Sequence, residues 1–186
     1  MIKAHILGSI ETKQKLLQDE GLLAQIKALG DACAASIQAG GKIIFAGNGG
    51  SFADAQHLSA EFTSRLLKDR RSLPSLALGC NSSAISAIGN DYGFEHAFSR
   101  ELSSIGTDKD VFIPISTSGN SPNILMAIET AKKLNIKTVG LTGLSGGKMK
   151  AECECICVPS SETPRIQESH ILIGHIICGL AEAHAF

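Results

Sequence analysis

The strongest constraint in this chain is a repeated pattern, in which a short apolar run ends at a loop of small or polar residues and a helix-like stretch follows. The first run, Lys42–Ala46, ends at the loop Gly47–Ser51, and helical periodicity extends from about Phe52 to Leu67. Four more apolar runs follow, at Leu76–Leu78, Val111–Ile115, Thr138–Thr142 and Cys155–Val158. Strands that alternate with helices form parallel sheets with helices on both faces. The pattern therefore predicts an α/β fold with a doubly wound parallel sheet of about five strands.

Helical segments flank this pattern at both ends. Residues 1–40 carry apolar side chains at helical spacing, so two N-terminal helices are expected. Residues 164–185 are predicted to form one helix that is apolar on nearly every side, and such a helix has to be buried all round. We therefore expect Ile171, Ile173 and Ile176 to pack against a neighbouring subunit. The length of 186 residues fits a single domain.

Composition narrows the possible partners. Lys and Arg number 17 and Asp and Glu number 18, so the chain lacks the positive excess that attracts proteins to nucleic acids or anionic membranes. The N-terminal Met-Ile-Lys-Ala-His lacks the apolar core of a signal peptide, and no apolar run approaches the ~20 residues that span a bilayer. A cytoplasmic location is therefore expected, with neither nucleic acid nor membrane as a partner.

The six cysteines are compatible in principle with a metal cluster or a disulfide framework. Cys153, Cys155 and Cys157 alternate along a predicted strand, which places their side chains on one face. Structural zinc sites instead pair two C-x₂₋₄-C knuckles. We therefore expect small, buried, reduced side chains at these positions, in agreement with a cytoplasmic location.

The loop Ser116-Thr-Ser-Gly-Asn-Ser121 follows a predicted strand and precedes Pro122. In a parallel sheet, ligands bind at the carboxyl ends of the strands, where helix N-termini offer unpaired N–H groups and a positive dipole end. An ordinary helix cap requires one serine, whereas this loop supplies four hydroxyl groups and a glycine that permits close approach of the backbone. The composition of the loop therefore favours phosphate binding.

The glycine loop Gly47–Ser51 has to be compared with nucleotide-binding motifs. The dinucleotide fingerprint requires a glycine where this chain has Phe52. A P-loop requires Gly-Lys-Ser/Thr, and Gly147-Lys148-Met149 does not provide it. The sequence therefore predicts a compact phosphorylated sugar as ligand, and no nucleotide cofactor.

Two predicted helices carry polar residues that suit proton transfer and metal binding. His57 and Glu61 are four residues apart and share a helix face, and Gln167 and His175 are eight apart on roughly one side of the last helix. Together they offer two imidazoles, a carboxylate and an amide oxygen, a set that suits zinc or a similar divalent ion. Glu61 and His175 could also serve as an acid/base pair next to a carbonyl group. The spacing leaves open whether the helices meet, and a hydrogen-bonded core histidine is the alternative for His175.

Four segments in order resemble the phosphoheptose isomerases, which are built on the sugar isomerase (SIS) domain with a flavodoxin-like sheet. These segments are 47–61, Gly89-Asn-Asp-Tyr-Gly93, 116–121 and 165–175. The resemblance implies conversion of D-sedoheptulose 7-phosphate to D-glycero-D-manno-heptose 7-phosphate through an enediol, the first step towards the heptose of bacterial surface polysaccharides. It also implies a homotetramer.

The resemblance further implies roles for individual residues. Glu61 and His175 match the catalytic acid/base pair. The positions that match zinc ligands are His57, Glu61, Gln167 and His175. The positions that match substrate contacts are Asn48, Gly49, Gly50, Ser51, Glu61, Asn90, Asp91, Ser116, Thr117, Ser118, Ser121 and Gln167.

Two departures from the family pattern and two alternative functions accompany this interpretation. Asn81 stands where relatives often carry aspartate, and Phe52 where they carry a smaller residue, so both positions bear on substrate preference.

One alternative function is that of a non-catalytic SIS-domain binding protein of the replication initiator-associating type, but such proteins lack residues that match Glu61 and His175. The other is an isomerase of a different sugar phosphate.

Overall fold

The computed structural model describes residues 1–185, which contain a five-stranded, all-parallel sheet in the order β2-β1-β3-β4-β5. This topology confirms the predicted doubly wound α/β fold. Each predicted strand is found within one residue of its expected bounds, and β3 matches them at both ends. The strands are β1 (Ile43–Gly47), β2 (Ser75–Ala77), β3 (Val111–Ile115), β4 (Lys137–Thr142) and β5 (Glu154–Cys157).

Eight α-helices and a short 3₁₀ turn (Phe94–His96) complete the described part of the chain. Local sequence accounts for several of their ends: the Asp19 side chain accepts a hydrogen bond from the Leu22 N–H and caps α2, and Pro122 occupies the first turn of α6. None of these helices is both long and apolar enough to cross a membrane. The helices are α1 (Ile2–Gln18), α2 (Glu20–Gln38), α3 (Gly50–Thr63), α4 (Ser82–Asp91), α5 (Ala97–Ile105), α6 (Pro122–Lys133), α7 (Met149–Glu152) and α8 (Thr163–His184).

Alternate residues of the buried strands divide the core into two layers. Ile43 and Phe45 of β1 point into a layer that also holds apolar side chains of α2, α3 and α8. Ile44 and Ala46 point to the opposite face, where α5 and α6 pack. The helices α3 and α8 therefore lie on the same side of the sheet and pack against each other.

Close packing between α3 and α8 depends on Gly174. A Cβ atom at this position would lie 2.4 Å from Cδ1 of Leu58 on α3, closer than side chains can approach. One turn further along α8, the Cys178 thiol lies 3.9 Å from the Leu58 carbonyl oxygen. The missing side chain at Gly174 thus lets the backbone of α8 lie against Leu58, directly beside the next residue, His175.

The expectation that Ile173 packs against another subunit is wrong. Ile173 and Ile177 are 0% and 1% exposed within the single chain, because α8 is covered by α2, α3 and the sheet. Of the other two isoleucines in this prediction, Ile176 is exposed, at 39%, and Ile171 is half-buried. A helix that is apolar on nearly every side is here buried mainly by its own chain.

The three alternating cysteines differ in part from their expected burial. Cys153, Cys155 and Cys157 are free thiols, and each is half-buried rather than buried. Cys153 directly precedes β5, and Cys155 and Cys157 lie on it. As an edge strand, β5 has a neighbouring strand on one side only, which leaves this part of the sheet partly open to solvent.

We expect Gly174→Ala and Gly179→Ala to change stability in opposite directions. At Gly174 the new methyl group collides with Leu58 and pushes α8 away from α3, so the melting temperature falls. At Gly179 the nearest atom would lie 3.6 Å away, and alanine favours the helix by roughly 0.5–1 kcal/mol, so the melting temperature rises. Thermal unfolding followed by circular dichroism measures both changes. Equal effects of the two substitutions would contradict the close-packing role of Gly174.

Candidate active site

The two loops singled out in the sequence meet at the carboxyl end of the sheet. They follow β1 and β3, which are hydrogen-bonded neighbours, at the position where the strand order reverses. Asn48 of the glycine loop and Asn123 in the first turn of α6 exchange two side-chain hydrogen bonds of 2.9 Å. Such reversal points form the usual ligand crevice of doubly wound sheets. Asn123 is buried and was not predicted from the sequence, although it directly follows the serine loop and Pro122.

The hydroxyl groups of the serine loop divide into two groups. Ser116 is buried, and its hydroxyl accepts a hydrogen bond from the Gly119 N–H and lies 3.1 Å from the Ser121 hydroxyl. Ser118 is exposed and accepts a hydrogen bond from the Asn120 N–H, which leaves its own hydroxyl proton available. Ser116 therefore shapes the loop, while Ser118 presents its hydroxyl outward.

Open space adjoins this loop on two sides. A cavity of about 480 Å³ is lined by Thr117 and Ser118 together with Ser160 and Ser161, which precede α8. A second cavity, of about 520 Å³, is lined by Asn48, Ser121 and Asn123. Both are mainly lined by uncharged groups, so a phosphate here would be held by hydroxyl and N–H donors rather than by lysine or arginine.

The structure brings His57, Glu61 and His175 together. Nε2 of His57 lies 2.9 Å from Nε2 of His175 and 3.2 Å from Oε1 of Glu61. One potential ligand atom from each residue lies within 4.8 Å of the other two. His175 is partly exposed, so the alternative of a core histidine does not describe it. The contact between α3 and α8 thus joins residues 118 positions apart in the sequence.

The geometry of this trio fits a zinc ion. Two imidazole nitrogens and a carboxylate oxygen are common zinc ligands, with bonds of about 2.0–2.2 Å. A tetrahedral arrangement with such bonds separates neighbouring ligand atoms by roughly 3.3 Å. The observed separations of 2.9 and 3.2 Å are close to this value.

The side-chain amide of Gln167 lies against Gly50, the first residue of α3. A Cβ atom on Gly50 would lie 1.7 Å from the Gln167 amide nitrogen, so the absence of a side chain at Gly50 leaves room for this amide. Gln167 also interacts with Asp54, which lies one turn before His57 on α3. The glycine loop, α3 and α8 therefore meet at Gln167.

Asp54 is a further carboxylate at this site that was not predicted from the sequence. Burial raises the pKa of its carboxyl group, while His57 and the Gln167 amide act in the opposite direction. Its Oδ2 atom is buried and has no hydrogen-bond partner among the described residues. The spacing of three residues to His57 could have indicated it, since residues i and i+3 share a helix face.

Three predicted substrate contacts lie apart from this cluster or are covered. Asn90 and Asp91 lie at the end of α4, where they line a separate cavity of about 570 Å³, and the Asn90 amide donates a hydrogen bond to Asp91. Ser51 is buried in the first turn of α3. The contact of these three residues with substrate stays a prediction.

The two departures from the family pattern have local structural explanations. The Asn81 side chain caps α4 by accepting a hydrogen bond of 3.1 Å from the Ala84 N–H, which an aspartate would also accept. Phe52 lies beside Gly79 and lines a small apolar cavity of about 140 Å³ with Phe94 and Phe98.

Comparisons with known proteins identify similar sequences and folds. The family model of the SIS domain matches residues 10–143. The phosphoheptose isomerase of Aneurinibacillus thermoaerophilus is 56% identical over 186 residues, which cover all of this chain and 94% of that protein.

Two solved structures of phosphoheptose isomerases are similar over nearly their whole length. The protein from Francisella tularensis has a TM-score of 0.91 at 33% identity and is covered over 96% of its chain. The protein from Neisseria gonorrhoeae has a TM-score of 0.89 at 38% identity and is covered over 97% of its chain. Each alignment includes 98% of the present chain.

Proposed function

Because this chain belongs to the phosphoheptose isomerase family of SIS-domain proteins, we propose that it converts D-sedoheptulose 7-phosphate to D-glycero-D-manno-heptose 7-phosphate. The observation that carries the proposal is the meeting of Glu61 and His175, which lie on two helices that also meet at the glycine loop through Gly50 and Gln167. A carboxylate and an imidazole can move protons to and from adjacent carbon and oxygen atoms. The non-catalytic alternative lacks this pair, so the chain is an isomerase rather than only a binding protein.

The phosphate group anchors the substrate in this mechanism. Thr117, Ser118 and Ser121 offer hydroxyl groups, and the exposed N-terminal end of α6 contributes a positive dipole end. Ser116 holds the loop in shape through Gly119. With carbon 7 fixed at this loop, the open-chain sugar extends towards α3 and α8.

Glu61 and His175 carry out the proton transfers. The Glu61 carboxylate removes a proton from carbon 1, and the electron pair of the broken C–H bond forms the carbon 1–carbon 2 double bond of an enediol. His175 gives a proton to the oxygen on carbon 2 and takes one from the oxygen on carbon 1. Return of a proton from Glu61 to carbon 2 completes the aldose.

His57, Glu61, Gln167 and His175 would hold one zinc ion. When bound, zinc acts as a Lewis acid that stabilises negative charge on the substrate oxygens. The trio of His57, Glu61 and His175 supports this part of the proposal through its donor atoms and short separations. With zinc held by Nε2 of His175 and one oxygen of Glu61, Nδ1 of His175 and the second carboxylate oxygen would stay available for proton transfer.

A homotetramer in the cytoplasm completes the proposal. The exposed apolar side chains of Ile2, Ile6 and Ile10 on α1, together with Ile176 on α8, support assembly through these two helices. The free thiol groups of the cysteines support a reducing compartment.

Purified protein should convert D-sedoheptulose 7-phosphate to the aldose, and Glu61→Gln should abolish turnover without unfolding the protein. The substitution keeps the shape of the side chain but removes the base, which ordinarily costs ~10²-fold or more. Chromatographic or NMR detection of the aldose measures the rate, and Glu129→Gln, on the exposed surface of α6, is the matched control. Activity of Glu61→Gln within about threefold of wild type would contradict the role of Glu61 as the base. Pentose and hexose phosphates are assayed in parallel, and faster turnover of one of them would identify a different substrate.

Protein stripped of metal by a chelator should regain about one zinc ion per chain, and His57→Gln should bind zinc much more weakly because one imidazole ligand is lost. Competition with a chromogenic chelator measures the affinity. His184→Gln, in the last turn of α8, provides the control because His184 lies beside Asp31 and outside the trio. Equal zinc affinity in both variants would contradict the ligand assignment.

Light scattering of the purified wild-type chain should give four times the mass of the 19.5 kDa chain. Ile6→Asp combined with Ile10→Asp should shift the protein to smaller species, because charges replace apolar contacts on α1. Since both side chains are exposed in the single chain, the fold should survive. A wild-type monomer at micromolar concentration would contradict the proposed assembly.

A further inference from the structure

Arg70 binds the C-terminal end of α3, the helix that carries Glu61. Its guanidinium group donates hydrogen bonds of 2.8 Å to the backbone carbonyl oxygens of Glu61 and Phe62, and one of 2.9 Å to that of Ser64. These carbonyl groups belong to the C-terminal end of α3 and its cap, where helices lack intrahelical donors. The backbone of Glu61 is thereby held in place by Arg70.

The same guanidinium group is tied to α8 through Glu182. Nε of Arg70 donates a hydrogen bond of 2.9 Å to Oε1 of Glu182, and the two side chains are 6% and 1% exposed. The Glu182 carboxylate also accepts backbone N–H bonds from Leu66, Leu67 and Lys68. Burial acts to raise the pKa of Glu182, but these donors and Arg70 outweigh it and hold the pKa below its ordinary value.

Glu182 lies seven residues after His175 on α8, so both side chains point to roughly the same face of the helix, towards α3. Arg70 and Glu182 therefore form a bridge from the backbone of Glu61 to the helix that carries His175.

We infer that the Arg70–Glu182 ion pair positions the acid/base pair, because it fixes the end of α3 that bears Glu61 relative to the face of α8 that bears His175. Arg70 and Glu182 are thus positioning residues, which act through the backbone without touching the substrate. This inference rests on the proposed function for its effect on turnover, and on the α3–α8 contact alone for its effect on geometry.

A stabilising role alone would not account for this arrangement. Buried ion pairs add little net stability, since desolvation of both charges offsets their attraction. The pair instead fixes relative positions, because a planar guanidinium group can bind several acceptors at once only in one orientation. Small displacements of catalytic groups are costly, about 10²-fold for 1 Å in unfavourable cases.

The test compares Arg70→Lys and Glu182→Gln with a buried ion pair elsewhere in the chain. Lys42 and Asp110 form a 2.7 Å pair at the amino-terminal end of β1, far from the loops, and the Asp110 side chain is 0% exposed. Asp110→Asn therefore removes a buried charge at a position that is remote from α3 and α8. All variants are assayed at a temperature at which circular dichroism shows them folded.

We expect kcat to fall about tenfold or more in Arg70→Lys and Glu182→Gln, with KM for the sugar phosphate within about twofold of wild type, because the phosphate loop is unaffected. Asp110→Asn should lower the melting temperature and leave kcat within about twofold. Values of kcat in both test variants that match the control would overturn the inference, and so would a rise in KM alone. Failure of both test variants to fold, while Asp110→Asn folds, would also overturn it, because the pair would then serve the fold.

A second measurement does not depend on turnover. The ring ¹H–¹³C resonances of His57 and His175 report their mutual contact, and Glu182→Gln should shift both, whereas Asp110→Asn should leave both unchanged. If the wild-type protein does not turn over the proposed substrate, the proposed function is refuted. The spectrum would still test whether Arg70 and Glu182 position His57 and His175. Unshifted resonances in Glu182→Gln would overturn the inference.

Discussion

The packing of α3 against α8 is the contact on which the rest of the site depends. Gly174 brings the two backbones together at Leu58, and the polar residues of the candidate site lie next to this contact. His175 follows Gly174 directly and meets His57 and Glu61 across the helix boundary. At the far end of the same contact, Arg70 and Glu182 join the helices again. A close apolar approach, a polar cluster and a buried ion pair thus follow one another along a single interface.

The sheet supplies the other half of the site. Reversal of strand order between β1 and β3 places the glycine and serine loops side by side, and the paired amides of Asn48 and Asn123 hold them together. The proposal therefore assigns phosphate binding and proton transfer to different parts of the fold: the loops at the strand ends would hold the charged end of the sugar, and the helix pair would act on its carbonyl end.

Sequence patterns were sufficient for the fold because short apolar runs and loop residues are local signals. Val111–Ile115 is an example, since the strand in the structure has the predicted bounds. Contacts between distant segments were beyond such reasoning: Arg70 and Glu182 are 112 residues apart, and neither belongs to a recognisable motif. Asp54 was overlooked because a lone carboxylate on a helix is usually solvated. Ile173 was misjudged because helical periodicity shows how much of a helix is buried, but not whether its own chain or another buries it.

The central claim is that a proton passes between carbon 1 and carbon 2 through an enediol, with Glu61 as the base. Conversion of D-sedoheptulose 7-phosphate in deuterium oxide, followed by NMR over many turnovers, tests it most directly. Because the proton on a carboxylate exchanges with solvent, the account predicts that deuterium accumulates at carbon 2 of the aldose and at carbon 1 of the remaining ketose. Complete retention of the original hydrogen at equilibrium would show direct transfer between the carbons and would contradict the account.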